Sequence, residues 1–234
     1  MKELRVVEDA AAVAETASQF IAGYVGRKPD ARVLVATGNT PIPTYKALAR
    51  LQLDMSRTWA VQLDEYLIPK NDPRSLYDWM ARAYVEPLGV KNVLRFDLEL
   101  PPEKMCKVHA QAIKALGGID LAVLGLGPNG HLGFNEPPSA ADAPTRVVEL
   151  TDASLASNAD YWEGQAVPRR AATVGMDAIL GADTTLLIVT GEHKRDILRR
   201  TLHEPVRPEL PSSYLRNTNL TLITDQNVTE KESA

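Results

Sequence analysis

Eight consecutive residues concentrate the polar chemistry of this chain of 234 residues: Asn129-Gly130-His131-Leu132-Gly133-Phe134-Asn135-Glu136. An imidazole flanked by an amide and a nearby carboxylate suits proton transfer, because a partner on one ring nitrogen fixes the tautomer that the other presents. Of the four histidines, His131 alone falls in such a loop. His109 falls in an expected helix, and His193 and His203 read as surface positions. His131 and Glu136 have no second histidine at ligand spacing, so no metal is expected. Just upstream, Gly125-Leu126-Gly127-Pro128-Asn129-Gly130 matches G-x-G-x-x-G, with Glu149 at the distance of a ribose-binding acid. A dinucleotide site needs a helix to begin inside that motif. Pro128 interrupts it, and residues 131–138 cannot form a regular helix. A nicotinamide or flavin cofactor is therefore not expected, and the chain is read as cofactor-free.

Three further segments carry candidate groups. Thr37-Gly38-Asn39-Thr40-Pro41 leads into a helix N-terminus, where free N–H groups and the helix dipole favour an anion. The same residues also suit an ordinary tight turn with a cap. The Walker A ending is missing. Asp64-Glu65 closes a strand. The pair is either solvated and capping, or, beside a bound phosphate, a base for a proton on carbon next to a carbonyl. Lys194, in Thr190-Gly191-Glu192-His193-Lys194-Arg195, falls in a first helical turn, where a cation opposes the dipole. It either reaches a phosphate or is simply solvated.

The elements that must position these groups alternate between strand and helix. Apolar residues at helical spacing (Ala11, Val13, Ala14, Ala17, Phe20, Ile21) predict a helix over 8–25. Strands are expected at 31–36, 59–63, 119–126, 184–189 and 220–223. Helices are expected at 42–51 (Thr40 as N-cap, Pro41 at the first position), 75–88 (capped by Ser75), 101–116 and 192–202. The first strand of the sheet is placed at about residue 31. The pattern implies an α/β fold: a three-layer, Rossmann-like, doubly wound, mainly parallel sheet with helices on both faces. Ligands then bind at the carboxyl ends of the strands, so the four segments should converge on one crevice. Residues 1–234 read as a single domain, with a mobile loop at 137–144 and a polar tail from about 226 that frays.

Composition limits the partners. The chain is 44% hydrophobic and 24% charged, with a net charge of -4 and no basic run, so neither nucleic acid nor an anionic membrane is suggested. It lacks an apolar signal core, and its single cysteine, Cys106, gives no disulfide framework. A cytoplasmic location is the expectation.

Together the segments resemble the glucosamine-6-phosphate deaminase (isomerase) family, which shares its fold with 6-phosphogluconolactonases. The resemblance spans residues 31–224. It rests on Thr37-Gly38-Asn39-Thr40-Pro41, Leu63-Asp64-Glu65-Tyr66 and Asn129-Gly130-His131-Leu132-Gly133-Phe134-Asn135-Glu136-Pro137. The lactonase branch carries a Thr-Ala-Ser-Leu-Phe-Pro type of ending after its Gly-His pair, which is absent here. The resemblance implies metal-free conversion of an amino-hexose 6-phosphate, such as glucosamine 6-phosphate, to fructose 6-phosphate and ammonia. It implies that His131 assists ring opening, that Glu136 and Asn129 orient it, and that Asp64 moves the C2 proton to C1. Gly38, Asn39, Thr40 and Lys194 would hold the phosphate.

One departure stands out. The family carries Asn-x-Arg before an aromatic, and the Arg binds phosphate. Here Ser157-Asn158-Ala159-Asp160-Tyr161-Trp162 puts Asp160 at that place, marking it as a specificity-altering candidate. Either Arg146, Arg169, Arg170 or Arg195 compensates, or the substrate differs. The alternatives are an enzyme with a changed or non-phosphorylated amino sugar, a lactonase-like hydrolase, and a non-catalytic sugar-phosphate sensor. The partner expected is a small amino-sugar phosphate, and the state a monomer or small homo-oligomer.

Overall fold

The computed structural model describes residues 1–162 and 164–227, apart from the side chains of Asp160 and Tyr161. At its centre is a sheet of seven strands in the order β1 (Glu3–Val6), β10 (Leu220–Thr224), β9 (Thr184–Val189), β6 (Leu121–Gly125), β2 (Arg32–Val35), β3 (Trp59–Gln62), β5 (Asn92–Leu94). Every neighbouring pair is parallel. Successive side chains of a strand point to opposite faces, so a sheet covered on both sides needs apolar residues at every position. The strands meet that need. Val33, Val35, Ile188 and Ile223 pack with Val13, Ala17, Ile21 and Val25 of α1 (Ala10–Arg27). The intervening Leu34, Leu187 and Leu222 pack on the other face with Met105 and Ile113 of α4 (Pro102–Ala115) and with Ile197 and Leu198 of α7 (Arg195–His203). Each fully buried side chain of this kind is worth about 1.5–3 kcal/mol relative to exposure. The result is the doubly wound α/β class implied by the sequence. Among the described residues no helix is long and apolar enough to cross a membrane.

A smaller antiparallel sheet, not foreseen from the sequence, sits beside the large one. Its strands run in the order β4 (Asp64–Tyr66), β8 (Arg170–Thr173), β7 (Arg146–Glu149). The chain leaves the large sheet after Gln62 and joins the small one at Asp64, with the Val174 N–H donating to the Leu63 carbonyl at 2.8 Å. Asp64 is thus held on both sides by sheet. Tyr66, Phe134, Leu150 and Trp162 form an apolar cluster of their own on the small sheet. The Tyr66 ring lies 5.3 Å from Phe134 and 5.2 Å from Trp162.

Several expectations need correction. The first strand is Glu3–Val6, not the one near residue 31. It is short, lies at a sheet edge and is only partly buried, so its apolar signal is weak. Ser75 does cap its helix, accepting from the Tyr77 and Asp78 N–H groups, but α3 (Leu76–Met80) passes into a π-turn at Ala81–Val85. Thr40 does not cap α2 (Ile42–Arg50): Pro41 is the N-cap residue and no side chain closes that end. The segment 192–202 opens as a 3₁₀ turn, Glu192–Lys194, before α7. Loop 137–144 is pinned. The Ser139 hydroxyl donates to the Glu136 carbonyl at 2.5 Å and accepts from Arg146 at 2.9 Å, and the Ser139 N–H donates to Pro208 O at 2.9 Å. Of the tail, Gln226 is buried, and residues 228–234 lie outside the described residues.

Candidate active site

The four segments singled out in the sequence meet at one crevice of about 370 Å³ at the carboxyl ends of β2, β3, β6 and β9. Thr37, Gly38, Asn39, Thr40, Asp64, His131 and Lys194 all line it. Asn129 and Glu136 do not line it; both are hydrogen-bonded behind His131.

Asp64 is buried at the crevice wall, and its Oδ1 accepts the Thr37 hydroxyl at 3.2 Å. Burial disfavours the charged form and pushes this carboxyl up to about 7, the Thr37 hydroxyl opposing and the neighbouring Glu65 charge adding to the rise. The adjacent Glu65 is also buried, so the solvated reading of the pair does not hold. Its carboxylate turns to the first turn of α3. It accepts from the Ser75 hydroxyl at 2.7 Å, the Leu76 and Tyr77 N–H groups at 2.9 and 3.0 Å, and the Gln62 amide at 2.9 Å. The same Gln62 amide donates to the Asp64 carbonyl at 2.9 Å, which ties the backbone of Asp64 to the Glu65 cluster.

On the other wall, the loop after β6 returns on itself through a Gly127 N–H to His131 carbonyl bond of 3.0 Å. The His131 ring then lies against Gly127, and a Cβ at that position would fall 2.2–2.4 Å from ring atoms. The glycine that looked like half of a dinucleotide fingerprint is there to admit the imidazole. Behind the ring, the Glu136 Oε2 accepts the Asn129 amide at 2.8 Å and the Thr151 hydroxyl at 3.2 Å, and lies 3.5 Å from His131 Nδ1. Burial works to raise the Glu136 carboxyl, but His131, Ser154 and Asn129 outweigh it and hold the group at about 2. The Asn129 carbonyl oxygen accepts the His131 N–H at 3.2 Å, so the amide braces both partners.

The third side suits an anion. The N-terminus of α2 has no side-chain cap, and Gly38, at φ 99°, leaves open space where a side chain would stand. N–H groups unclaimed at a helix start attract negative charge. Lys194 Nζ donates to the Leu126 carbonyl at 2.8 Å, and burial lowers its pKa. None of the proposed compensating arginines lines the crevice. Arg146 bonds Asn135 and Ser139, Arg169 and Arg170 face Asp152 and Glu103, and Arg195 faces Glu192. His193, read as a surface residue, is exposed and also lines the crevice beside Lys194. The side chain of Asp160 lies outside the described residues. Among the described residues no three His, Cys, Asp or Glu side chains gather as a metal-binding group.

Sequence reasoning missed Thr151 and Ser154, which contact Glu136 and His131 from the first turn of α5 (Asp152–Asn158). Thr151 is the N-cap of that helix, and a threonine before a short helical run is a readable signal. Its second task, facing a carboxylate from another loop, has no local signature.

The family described as glucosamine-6-phosphate isomerases/6-phosphogluconolactonase matches residues 6–224. The chain belongs to that family. Within it, similar proteins include a glucosamine-6-phosphate deaminase of Streptomyces avermitilis, 36% identical over 98% of this chain and 92% of the relative. Another, of Rhodopirellula baltica, is 36% identical over 96% and 93%. A solved structure described as a monomeric glucosamine-6-phosphate deaminase superposes with a TM-score of 0.89 at 30% identity, covering 97% of this chain and 98% of that one. A 6-phosphogluconolactonase from Thermotoga maritima has a TM-score of 0.78 at 21% identity, covering 96% and 99%, a likeness of fold.

Proposed function

We propose that this family member converts glucosamine 6-phosphate and water to fructose 6-phosphate and ammonia. The observation that carries the reading is the pairing, in one crevice, of a buried carboxyl raised to about 7 with an imidazole backed by an ionised carboxylate. Enzymes divide acid and base work between groups whose environments push them apart in this way.

The roles follow from position. The phosphate rests on the residues 38–40 turn at the start of α2, with Lys194 beside it, and this fixes the sugar for reaction. His131 Nε2 passes a proton between the anomeric hydroxyl and the ring oxygen, so that the C1–O5 bond breaks and the open aldehyde forms. Asp64, ionised, then takes the proton from C2. The C2–H electron pair forms the C1=C2 bond, the carbonyl π pair moves to O1, and O1 takes a proton from the substrate's 2-ammonium group, giving the enolamine. Asp64 returns the proton to C1, leaving C2 as a protonated imine, to which water adds and from which ammonia departs. Asn129 and Glu136 position His131 and do not touch the sugar.

The test is a substrate panel of amino sugars with and without a 6-phosphate, assayed for ammonia and ketose. Ammonia from glucosamine 6-phosphate, lost in Asp64→Asn, is the expected result. No turnover by the folded parent on any member would overturn the reading. Release from non-phosphorylated amino sugars at equal kcat/KM would remove the phosphate from the account.

A further inference from the structure

His131 needs its Nδ1 held if Nε2 is to face the sugar, and Glu136 holds it only loosely. The Glu136 Oε2 is already engaged by the Asn129 amide at 2.8 Å and the Thr151 hydroxyl at 3.2 Å, and it lies 3.5 Å from Nδ1. A good N–H···O bond is 2.7–3.2 Å. Closer to Nδ1 is the Ser154 hydroxyl, at 3.2 Å. Ser154 is fully buried, so water does not compete for it.

Its placement is built in. Thr151, the N-cap of α5, accepts the Ser154 N–H at 3.3 Å while its own hydroxyl is given to Glu136. The first turn of α5 is therefore clamped to the carboxylate, and the clamp sets Ser154 against the ring. A hydroxyl both donates and accepts. Beside a carboxylate its proton turns toward the anion, and its lone pair faces the ring nitrogen. The imidazole then carries its proton on Nδ1 and its free lone pair on Nε2, the nitrogen that lies against Gly127 at the crevice wall.

We propose that Ser154 is the positioning residue of His131, sharing the Nδ1 proton with Glu136 and so directing the Nε2 lone pair to the substrate. This rests on the deaminase reading for its catalytic consequence, but the tautomer is a property of the free protein. Asn129 fits the same scheme. As an amide it donates to Glu136 without adding a second anion, and the charge that would draw a proton to Nδ1 is left to Glu136, reached through Ser154.

The test compares Ser154→Ala and Ser154→Thr with the parent, each checked for an unchanged melting temperature. The imidazole tautomer of His131 is read by ¹⁵N NMR without substrate, and kcat and KM are measured with glucosamine 6-phosphate. Ser154→Ala is expected to shift the tautomer away from Nδ1–H and to lower kcat about tenfold to hundredfold, the rate equivalent of one hydrogen bond to a charged group. KM should stay within about twofold, and Ser154→Thr should restore the Nδ1–H tautomer and most of kcat. An Ala variant that keeps the parent tautomer overturns the proposal, whatever its rate. A parent that releases no ammonia while Ser154→Ala still shifts the tautomer sinks the deaminase reading and leaves the positioning role standing.

Discussion

Asp64 and Glu136 are both buried carboxylates of the same active-site region, and their surroundings drive them in opposite directions. Asp64 faces the crevice with a threonine hydroxyl as its hydrogen-bond donor and an acidic neighbour, and rises to about 7. Glu136 sits behind the wall, accepts an amide and a hydroxyl, lies beside an imidazole, and falls to about 2. Burial works to raise both carboxyls and is the more complete at Asp64, where one hydroxyl opposes it; at Glu136 the imidazole, hydroxyl and amide donors outweigh it. The group proposed to gain and lose a proton has few donors, and the group proposed to remain an anion is supplied with them.

The comparison can be broken at several points. The largest effect is expected from Asp64→Asn, which removes the proposed base: kcat for ammonia release should fall about 10³-fold. A fall of less than about tenfold would move the base elsewhere. Next is Gly127→Ala, whose Cβ would strike the His131 ring. Its kcat should drop about 10²-fold, while activity should still rise with pH through about 7 as Asp64 ionises. Loss of that rise would tie the two walls together. Glu136→Gln should also cost about tenfold to hundredfold in kcat, since the amide still accepts but carries no charge.

Stability should separate the two groups by sign. The folded pKa of Asp64 lies above its ordinary value, 3.8 against about 7. Its contribution to stability is complete below pH 3.8 and is lost as pH rises through about 7. Taking the two to match at about pH 3, Asp64→Asn should exceed the parent increasingly as pH rises above 3.8, by up to about 4 kcal/mol at pH 8. Glu136 is depressed from 4.5 to about 2, so its contribution is present above 4.5 and lost as pH falls toward 2. Glu136→Gln should destabilise at pH 7 and lose that effect in acid. Chemical denaturation at several pH values reads both. The smallest effect is Lys194→Gln, expected to raise KM about tenfold with kcat nearly unchanged, the mark of lost uniform binding.

How much of this was legible in the sequence differs between the two walls. The strand–helix alternation gave the large sheet because its strands are buried on both faces and read as apolar runs. The rule that ligands sit at strand ends then brought Thr37, Asp64, His131 and Lys194 together. The small sheet escaped notice because β7 and β8 are short and lie among polar loops. Without it, the reason for the burial of Asp64 was hidden. Glu65 looked equivalent to Asp64, and the helix start that claims its carboxylate lies ten residues on in sequence and meets it only in the folded chain. The Gly127 clearance was visible only as a glycine with no dinucleotide helix to serve. Ser154 stands 23 residues from His131, a contact that spacing does not encode.

The most direct measurement is a carboxyl ¹³C NMR titration of Asp64 and Glu136 in the free protein. Asp64 should titrate near pH 7, and Glu136 should remain ionised until about pH 2. Both carboxyls titrating together near their ordinary values, about 4, would contradict the division of labour between the two walls.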